Sequence, residues 1–316
     1  MNLRNLGQAW NRFFFTPQSP TSLALFRILY GACVTFTLLL LHFDWLNWFG
    51  VDGWVSLPVM QTIEPGPRIN LFTVMPQNNH WITAFFWVFL AFAILLTAGL
   101  WTRFSSIIVF ICITSLHQRN LFINNGGDTF LRVTGFFLMF APAGAALSLD
   151  RLIRIRRGLE GPIPPPIVPW AQRMIQLELA MVYLFSFWWK MKGNSWVHGT
   201  ALYYVLNLHS LTRFPLPQWV QSPLAEKLGT WFTLLFEACM GVLVWIRPLR
   251  YPMLLTGLFF HLCLEYTLNI PMFQWDILAA YVLFIGPADL NRFWRFLSRT
   301  ITKSPEPKET TADSAA

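Results

Sequence analysis

SLALFRILYGACVTFTLLLL, residues 22–41, is the stretch from which the fold is read. Its 20 residues carry a single charge, Arg27. About 20 consecutive apolar residues are what a helix needs to cross the hydrocarbon core of a bilayer. The segment is apolar throughout rather than alternating, so it reads as a spanning helix and not as a barrel strand. Arg27 lies five residues inside the segment, close enough to one end to snorkel to the surface.

Seven more segments follow the same pattern: 81–100, 104–117, 130–147, 170–189, 230–246, 251–270 and 275–285, the third and the last of the eight being short. The expectation is an all-α, polytopic transmembrane bundle of about eight spans. Composition agrees. The chain is 55% hydrophobic and 12% charged, where a soluble domain carries about 25% charged residues, and its mean hydropathy is +0.46. The net charge of +8 does not point to nucleic acid, because the basic residues fall in short connections between apolar segments, where membrane topology accounts for them.

Those connections also set an orientation. With the N-terminus inside, the inner segments hold fifteen Lys and Arg. The outer ones hold six: Arg68, Arg119, Lys190, Lys192, Arg213 and Lys227. Arg27 and Arg132 fall within spans. This asymmetry predicts both termini in the cytoplasm of a multi-pass protein of the plasma or inner membrane. The start, MNLRNLGQAWNRFFF, has neither an h-region nor a small-residue cleavage site, so no removable signal peptide is expected. Cys33, Cys112, Cys239 and Cys263 all lie in apolar segments without CxxC spacing and read as small buried hydrophobes.

The expected division is an N-terminal segment (1–21), a membrane domain (22–285) and a basic, then polar, tail (286–316). The proline-rich stretch GPIPPPIVPW, 161–170, reads as a stiff extended connector between four spans and four. The last residues, SPEPKETTADSAA, read as disordered. The long outer loops, 44–80 and 190–229, are rich in Trp, Tyr, Phe and Pro, which predicts interfacial or re-entrant packing.

A charge at the centre of a membrane helix costs on the order of 3 kcal/mol on insertion scales, so the ionisable residues within spans form a short set of candidates. Lys190 ends the fifth span beside Trp188 and Trp189. As an anchor its ammonium snorkels to water; as a base its amine must be deprotonated, which takes an apolar, closed site. In HQRNLFINNGGDTFLR, 117–132, Gly126 and Gly127 allow a close backbone approach to a ligand or helix. Asp128 and Arg132 are spaced for an ion pair, and Asp128 also suits a helix N-terminus. They read either as a polar plug or, with Asn124 and Asn125, as a substrate-side loop; Trp196 and His198 lie in the other outer loop.

Glu178, Glu237 and His261 lie deep in the fifth, sixth and seventh spans, with Glu265 one turn beyond His261. They should face the bundle interior, either as hydrogen-bonding glue between helices or as a proton path. HLCLE does not supply the three or four ligands of a zinc site, so no metal is expected. Haem is not expected either, since CxxCH is absent.

Taken in order, SLALFRILYG, FGVDGWVSL, RNLFINNGGDTFLR, LSLDRLIR, KMKGNSWVHGTALYY and FFHLCLEYTL resemble the horizontally transferred transmembrane (HTTM) family over roughly residues 10–295. That family includes the membrane half of the vitamin K-dependent gamma-glutamyl carboxylases and bacterial proteins that help mature a sporulation-delaying antimicrobial peptide. The carboxylase resemblance implies a reduced quinone, oxygen and carbon dioxide, with a lysine amine deprotonating the hydroquinone. The family's lysine precedes a Trp–x–x–Gly stretch. Trp196 and Gly199 match it, and Lys190 lies six residues before Trp196. The carboxylases carry two adjacent lysines where this chain has Lys190, Met191 and Lys192, and a histidine where it has Gly126. In the roughly 30 residues after the eighth span no counterpart of their large lumenal domain is expected.

Two functions follow. One is an enzyme, or enzyme component, acting at the outer membrane face on a quinone, lipid or peptide, with Lys190 as base and Glu178, Glu237 and His261 as relay. The other is a non-catalytic accessory that presents a secreted antimicrobial-type peptide, or a small partner protein, through its outer loops. A transporter is a weaker third reading, because no inverted repeat is visible.

Overall fold

The fold is seen in a computed structural model that describes residues 3–66, 68–290 and 292. Among them there is no β-strand, only two isolated bridges, so the chain is all-α as the sequence predicts. The helices run α1 Leu3–Phe15, α2 Thr21–Leu41, α3 Trp45–Phe49 and α4 Leu57–Ile63. Next come α5 Asn79–Ala98, α6 Thr102–Arg119, α7 Gly126–Phe140 and α8 Leu149–Arg156. The second half holds α9 Trp170–Met191, α10 Asn194–Val197, α11 Ala201–Leu206, α12 Pro223–Leu243, α13 Arg247–Thr267 and α14 Phe273–Tyr281.

Each of the eight apolar segments is helical. Two of the helices, α2 and α5, are long and apolar enough to cross a membrane by length and composition. The others are shorter or carry more polar residues: α7 has 15 residues and α14 has nine. Helix ends follow local chemistry. α7 stops at Phe140, not at 147, because the chain turns out at Ala141–Pro142. α12 starts seven residues before the expected Thr230, where Ser222 accepts the Ala225 N–H and Pro223 opens the first turn.

α2 packs on α5 and α9 on α12, while α7 lies between α6 and α9. α14 threads between α2, α7, α9 and α13, which makes it the central element of the polar interior. The loops between α2 and α5 and between α9 and α12 are folded rather than free. Trp45, Phe49, Met60 and Phe72 are buried, and α10 and α11 pack on α12. The proline-rich connector runs without helix and pairs Ile167 with Gln18. The tail expected to be disordered lies outside the described residues.

Two arginines behave otherwise than predicted. Arg27 does not snorkel. It is fully buried and donates to the carbonyl oxygens of Leu147 (2.6 Å), Ala143 (3.2 Å) and Thr97 (3.5 Å), where helix ends leave acceptors free. Arg119, expected in an outer loop, is buried and donates to Val55 O at 2.9 Å, so it ties the loop to α6. Of the cysteines, Cys33 and Cys112 are buried as expected, whereas Cys239 is half-buried and Cys263 is exposed on the outward face of α13. Asp150 caps α6, accepting from Trp101 N (2.8 Å), Thr102 N (2.8 Å) and Thr102 Oγ1 (2.7 Å).

Candidate functional site

A helix repeats every 3.6 residues, so Gln172, Gln176, Tyr183, Ser186 and Lys190 share one face of α9. This polar stripe runs the length of an otherwise apolar helix. Gln172 and Gln176 both donate to Leu283 O, at 3.1 and 2.7 Å. Higher up, the stripe meets α12, α13 and α14.

At its far end Lys190 is ion-paired with Glu237 of α12, and Ser186 joins both groups. The lysine Nζ donates to Ser186 Oγ at 3.0 Å, and that hydroxyl donates to Glu237 Oε1 at 2.9 Å. Glu237 Oε2 is buried without a hydrogen-bond partner. Trp196 of α10 closes the site, its ring centroid 4.8 Å from Nζ. The Lys190 side chain keeps 23% exposure against 6% for Glu237, so the amine faces the entrance and the carboxylate the interior. Lys192 does something different: its ammonium sits 4.0 Å from the Trp189 ring centroid, as an interfacial anchor does.

One turn below Ser186, Tyr183 lies between two partners, 2.6 Å from His261 Nε2 and 2.6 Å from Tyr281 Oη. His261 Nδ1 is 2.5 Å from Gln274 Oε1. A carbonyl oxygen only accepts, so Nδ1 carries the hydrogen and Nε2 accepts from Tyr183. The order of donation is therefore Tyr281 to Tyr183 to His261 to Gln274, a buried chain across α14, α9 and α13. Glu237 lies within electrostatic reach of Tyr183, and Lys190 of His261.

The other predicted residues are placed elsewhere. Glu178 lies off the stripe and accepts from Thr134 of α7 at 3.0 Å. Glu265, on the His261 face by spacing, is ion-paired with Arg213 from the loop before α12. Asp128 makes no ion pair with Arg132. It closes a capping box, accepting the Asn125 N–H at 2.7 Å, and its other oxygen lies 3.4 Å from His117 Nε2. Arg132 is half-buried. His198 is exposed and apart from Lys190's contacts.

Asn124, Asn125, Asp128 and His117 line a cavity of about 410 Å³, whose other walls are apolar apart from Thr37 and include Leu40, Trp48 and Phe122. Asn124 donates to His117 O at 2.8 Å, while Asn124 Oδ1 and His117 Nδ1 are buried without partners. Behind this cavity the backbone of α14 approaches Gly127 so closely that a Cβ there would stand 3.1 Å from Phe273 Cα, as the glycine pair predicts. Among the described residues no group of three or more His, Cys, Asp or Glu could hold a metal.

Sequence reasoning missed Tyr183, Ser186, Gln274, Tyr281, Asp276 and His117. The signal for Tyr183 and Ser186 was their spacing from Lys190 on a single helical face. Asp276 is buried near the start of the last apolar segment and has one unpartnered oxygen. The rule that selected Glu178 selects it equally.

The chain is an all-α bundle with ionisable groups gathered inside it and two helices long and apolar enough, by length and composition, to cross a bilayer. The HTTM domain matches residues 15–288. That is most of the chain, and the protein belongs to the HTTM family. No curated protein and no solved structure matches it.

Proposed function

We propose that this chain is a multi-pass protein of the cell membrane with eight spans and both termini in the cytoplasm. Residues 22–285 form the membrane domain, between the N-terminal segment 1–21 and the tail 286–316. In this reading Lys190 and Glu237 are the acid–base centre of an enzyme, or enzyme component, acting at the outer face on a quinone, lipid or peptide. The distribution of Lys and Arg supports the orientation. The observation that carries the activity is the pairing itself: Lys190 turns to the buried carboxylate of Glu237, while Lys192 rests on the tryptophan belt.

In the ion pair the lysine holds the proton. Passing it to Glu237 leaves a neutral amine and a carboxylic acid. The amine then takes a proton from a weakly acidic group of the substrate and becomes an ammonium, beside which the substrate's new negative charge is held. The pair ends with one more proton than it began, and the substrate with one fewer. Tyr183 and His261 lie one turn below, within electrostatic reach of the pair, and polarise it without a hydrogen bond to it among the described residues. Glu178, on the far face of α9, would act separately.

A reduced quinone fits this setting, because its flat ring suits the tryptophans around Lys190 and its hydroxyl is within the basicity of an amine. It would supply a hydroquinone acid and a two-electron reductant. Trp196 beside Lys190, Asn124, Asn125 and Asp128 at their own cavity, and Arg132 and His198 are the substrate-side residues in this proposal.

Arginine separates base from anchor, since a guanidinium keeps the ion pair but does not deprotonate in proteins. Lys190→Arg, Lys190→Met and Lys192→Met are compared in a deletion strain at equal membrane abundance. The base reading requires both Lys190 variants to fail and Lys192→Met to succeed. A working Lys190→Arg leaves the pair as structure and favours the accessory role in maturing or presenting a peptide. Extraction of the purified protein for bound quinone is the companion measurement.

A further inference from the structure

Arg173, near the start of α9, lies seventeen residues from Lys190, about 25 Å along the helix at 1.5 Å per residue. At that end a cavity of about 180 Å³ opens between the start of α9, the start of α13 and the segment 283–287 that follows α14. Arg173, Arg247 and Arg250 line it, and among the described residues no carboxylate does. Arg250 lies within electrostatic reach of Arg173. Their acceptors are neutral. Arg173 donates to Phe13 O (3.2 Å), Gln176 Oε1 (2.9 Å) and Gln18 Oε1 (3.2 Å), and Arg250 Nε donates to Val244 O (3.2 Å). Asp289, on the segment that follows, is taken by Tyr251 and by Arg292.

Helix geometry adds to the imbalance. Arg247 and Arg250 stand in the first turn of α13, which has no acidic residue there and no side-chain cap. The first turn of a helix is already the positive end of its dipole, where anions and not cations are favoured. Three guanidiniums, a bare helix start and a polar hollow with the volume of about six waters lack a negative partner among the described residues.

We infer that this cavity is a binding site for a phosphate group, with Arg247 and Arg250 as its principal ligands and Arg173 as its floor. Guanidinium pairs phosphate through two parallel hydrogen bonds, and the residual donors of Arg247 and Arg250 suit that geometry. The surroundings match a lipid headgroup. α1 lies alongside, its Phe13 ring 5.7 Å from that of the cavity-lining Trp245, and it exposes Leu6 and Trp10 from one face. A helix with such a face lies in the interfacial plane of a bilayer. The site is at the opposite end of α9 from Lys190 and stands or falls without the acid–base proposal.

The test uses the purified full chain in detergent, with added phosphatidylglycerol or phosphatidylcholine, read by native mass spectrometry. A second arm follows the melting temperature against inorganic phosphate. Near a membrane each basic side chain contributes about fivefold in affinity for an anionic lipid. The wild type is expected to retain phosphatidylglycerol about tenfold over phosphatidylcholine, Arg247→Gln to lose several-fold of that preference, and Arg247→Gln/Arg250→Gln to lose it entirely. Arg247→Lys/Arg250→Lys keeps the charge and should keep part of it, which guards against misfolding as the cause. A melting shift with inorganic phosphate that the Gln variants lack, without lipid preference, assigns the same site to free phosphate. Equal retention of both lipids with no phosphate shift, or an unchanged preference in the Gln variants, overturns the inference.

Discussion

Lys190 and Glu237 hold one another across α9 and α12, with Ser186 bonded to both and only the lysine open to the surface. Removing one partner of a buried pair leaves an uncompensated charge and costs about 3–5 kcal/mol; removing both restores a neutral site. We expect Lys190→Met and Glu237→Gln each to lower the melting temperature of the purified protein, and the double variant to lose clearly less than the two losses combined. Strict additivity in this cycle would show that the two side chains do not interact.

His261 presents a second test, because Gln274 fixes which nitrogen carries the hydrogen. Tyr183→Phe removes the donor to Nε2 and the acceptor for Tyr281, leaving two buried polar atoms unpaired. Each costs about 1–3 kcal/mol. The variant should therefore be less stable than Tyr281→Phe, which orphans no acceptor that must be filled. A Tyr183→Phe protein as stable as wild type would mean that the chain of donors is not formed.

Gly257 faces Tyr281 across α13 and α14, and a Cβ added there would collide with the tyrosine hydroxyl. Overpacking of this kind costs about 1–3 kcal/mol. Gly257→Ala should destabilise the wild type by roughly that amount, and the same change made in a Tyr281→Ala background, which removes the ring carbons as well as the hydroxyl from the contact, should cost much less. Equal losses in both backgrounds would place the strain elsewhere.

Hydropathy alone was enough to place a helix in each of the eight apolar segments, although only α2 and α5 are long and apolar enough to cross a membrane by length and composition. It was poor at their ends. α7 is cut short by Pro142 and α12 is lengthened by the Ser222–Pro223 start, both local signals that a span-length search overrides. Lys190 and Glu237 were legible one at a time as charges in apolar segments; their contact was not, since it depends on how α9 and α12 pack. Spacing predicted the Asp128–Arg132 pair, but Asp128 is held by its own helix start, where the free Asn125 N–H is nearer and fixed. The polar stripe of α9 was visible in the letters and needed only the helical repeat to find it.

Asp150 links the first turn of α8 to the start of α6 and gives the fold a pH dependence of known sign. Partial burial alone would raise its carboxyl, but the hydrogen bonds from Thr102 and Trp101 and the charge of Arg154 outweigh this and hold it below the usual carboxylate value. A group depressed in the folded state stabilises the protein in full above its unfolded value, near 4, and loses that contribution as pH falls through the folded value. The interaction is that of a helix cap, typically about 1 kcal/mol. Asp150→Asn should therefore melt below wild type by a constant margin from pH 6 to 8, roughly the span in which the wild-type carboxylate is fully charged. Below about pH 4 the margin should narrow, as protons neutralise the wild-type cap and remove the difference between the two side chains. A margin that stays constant down to pH 3, or one that widens on acidification, would show that Asp150 is not the charged cap of α6.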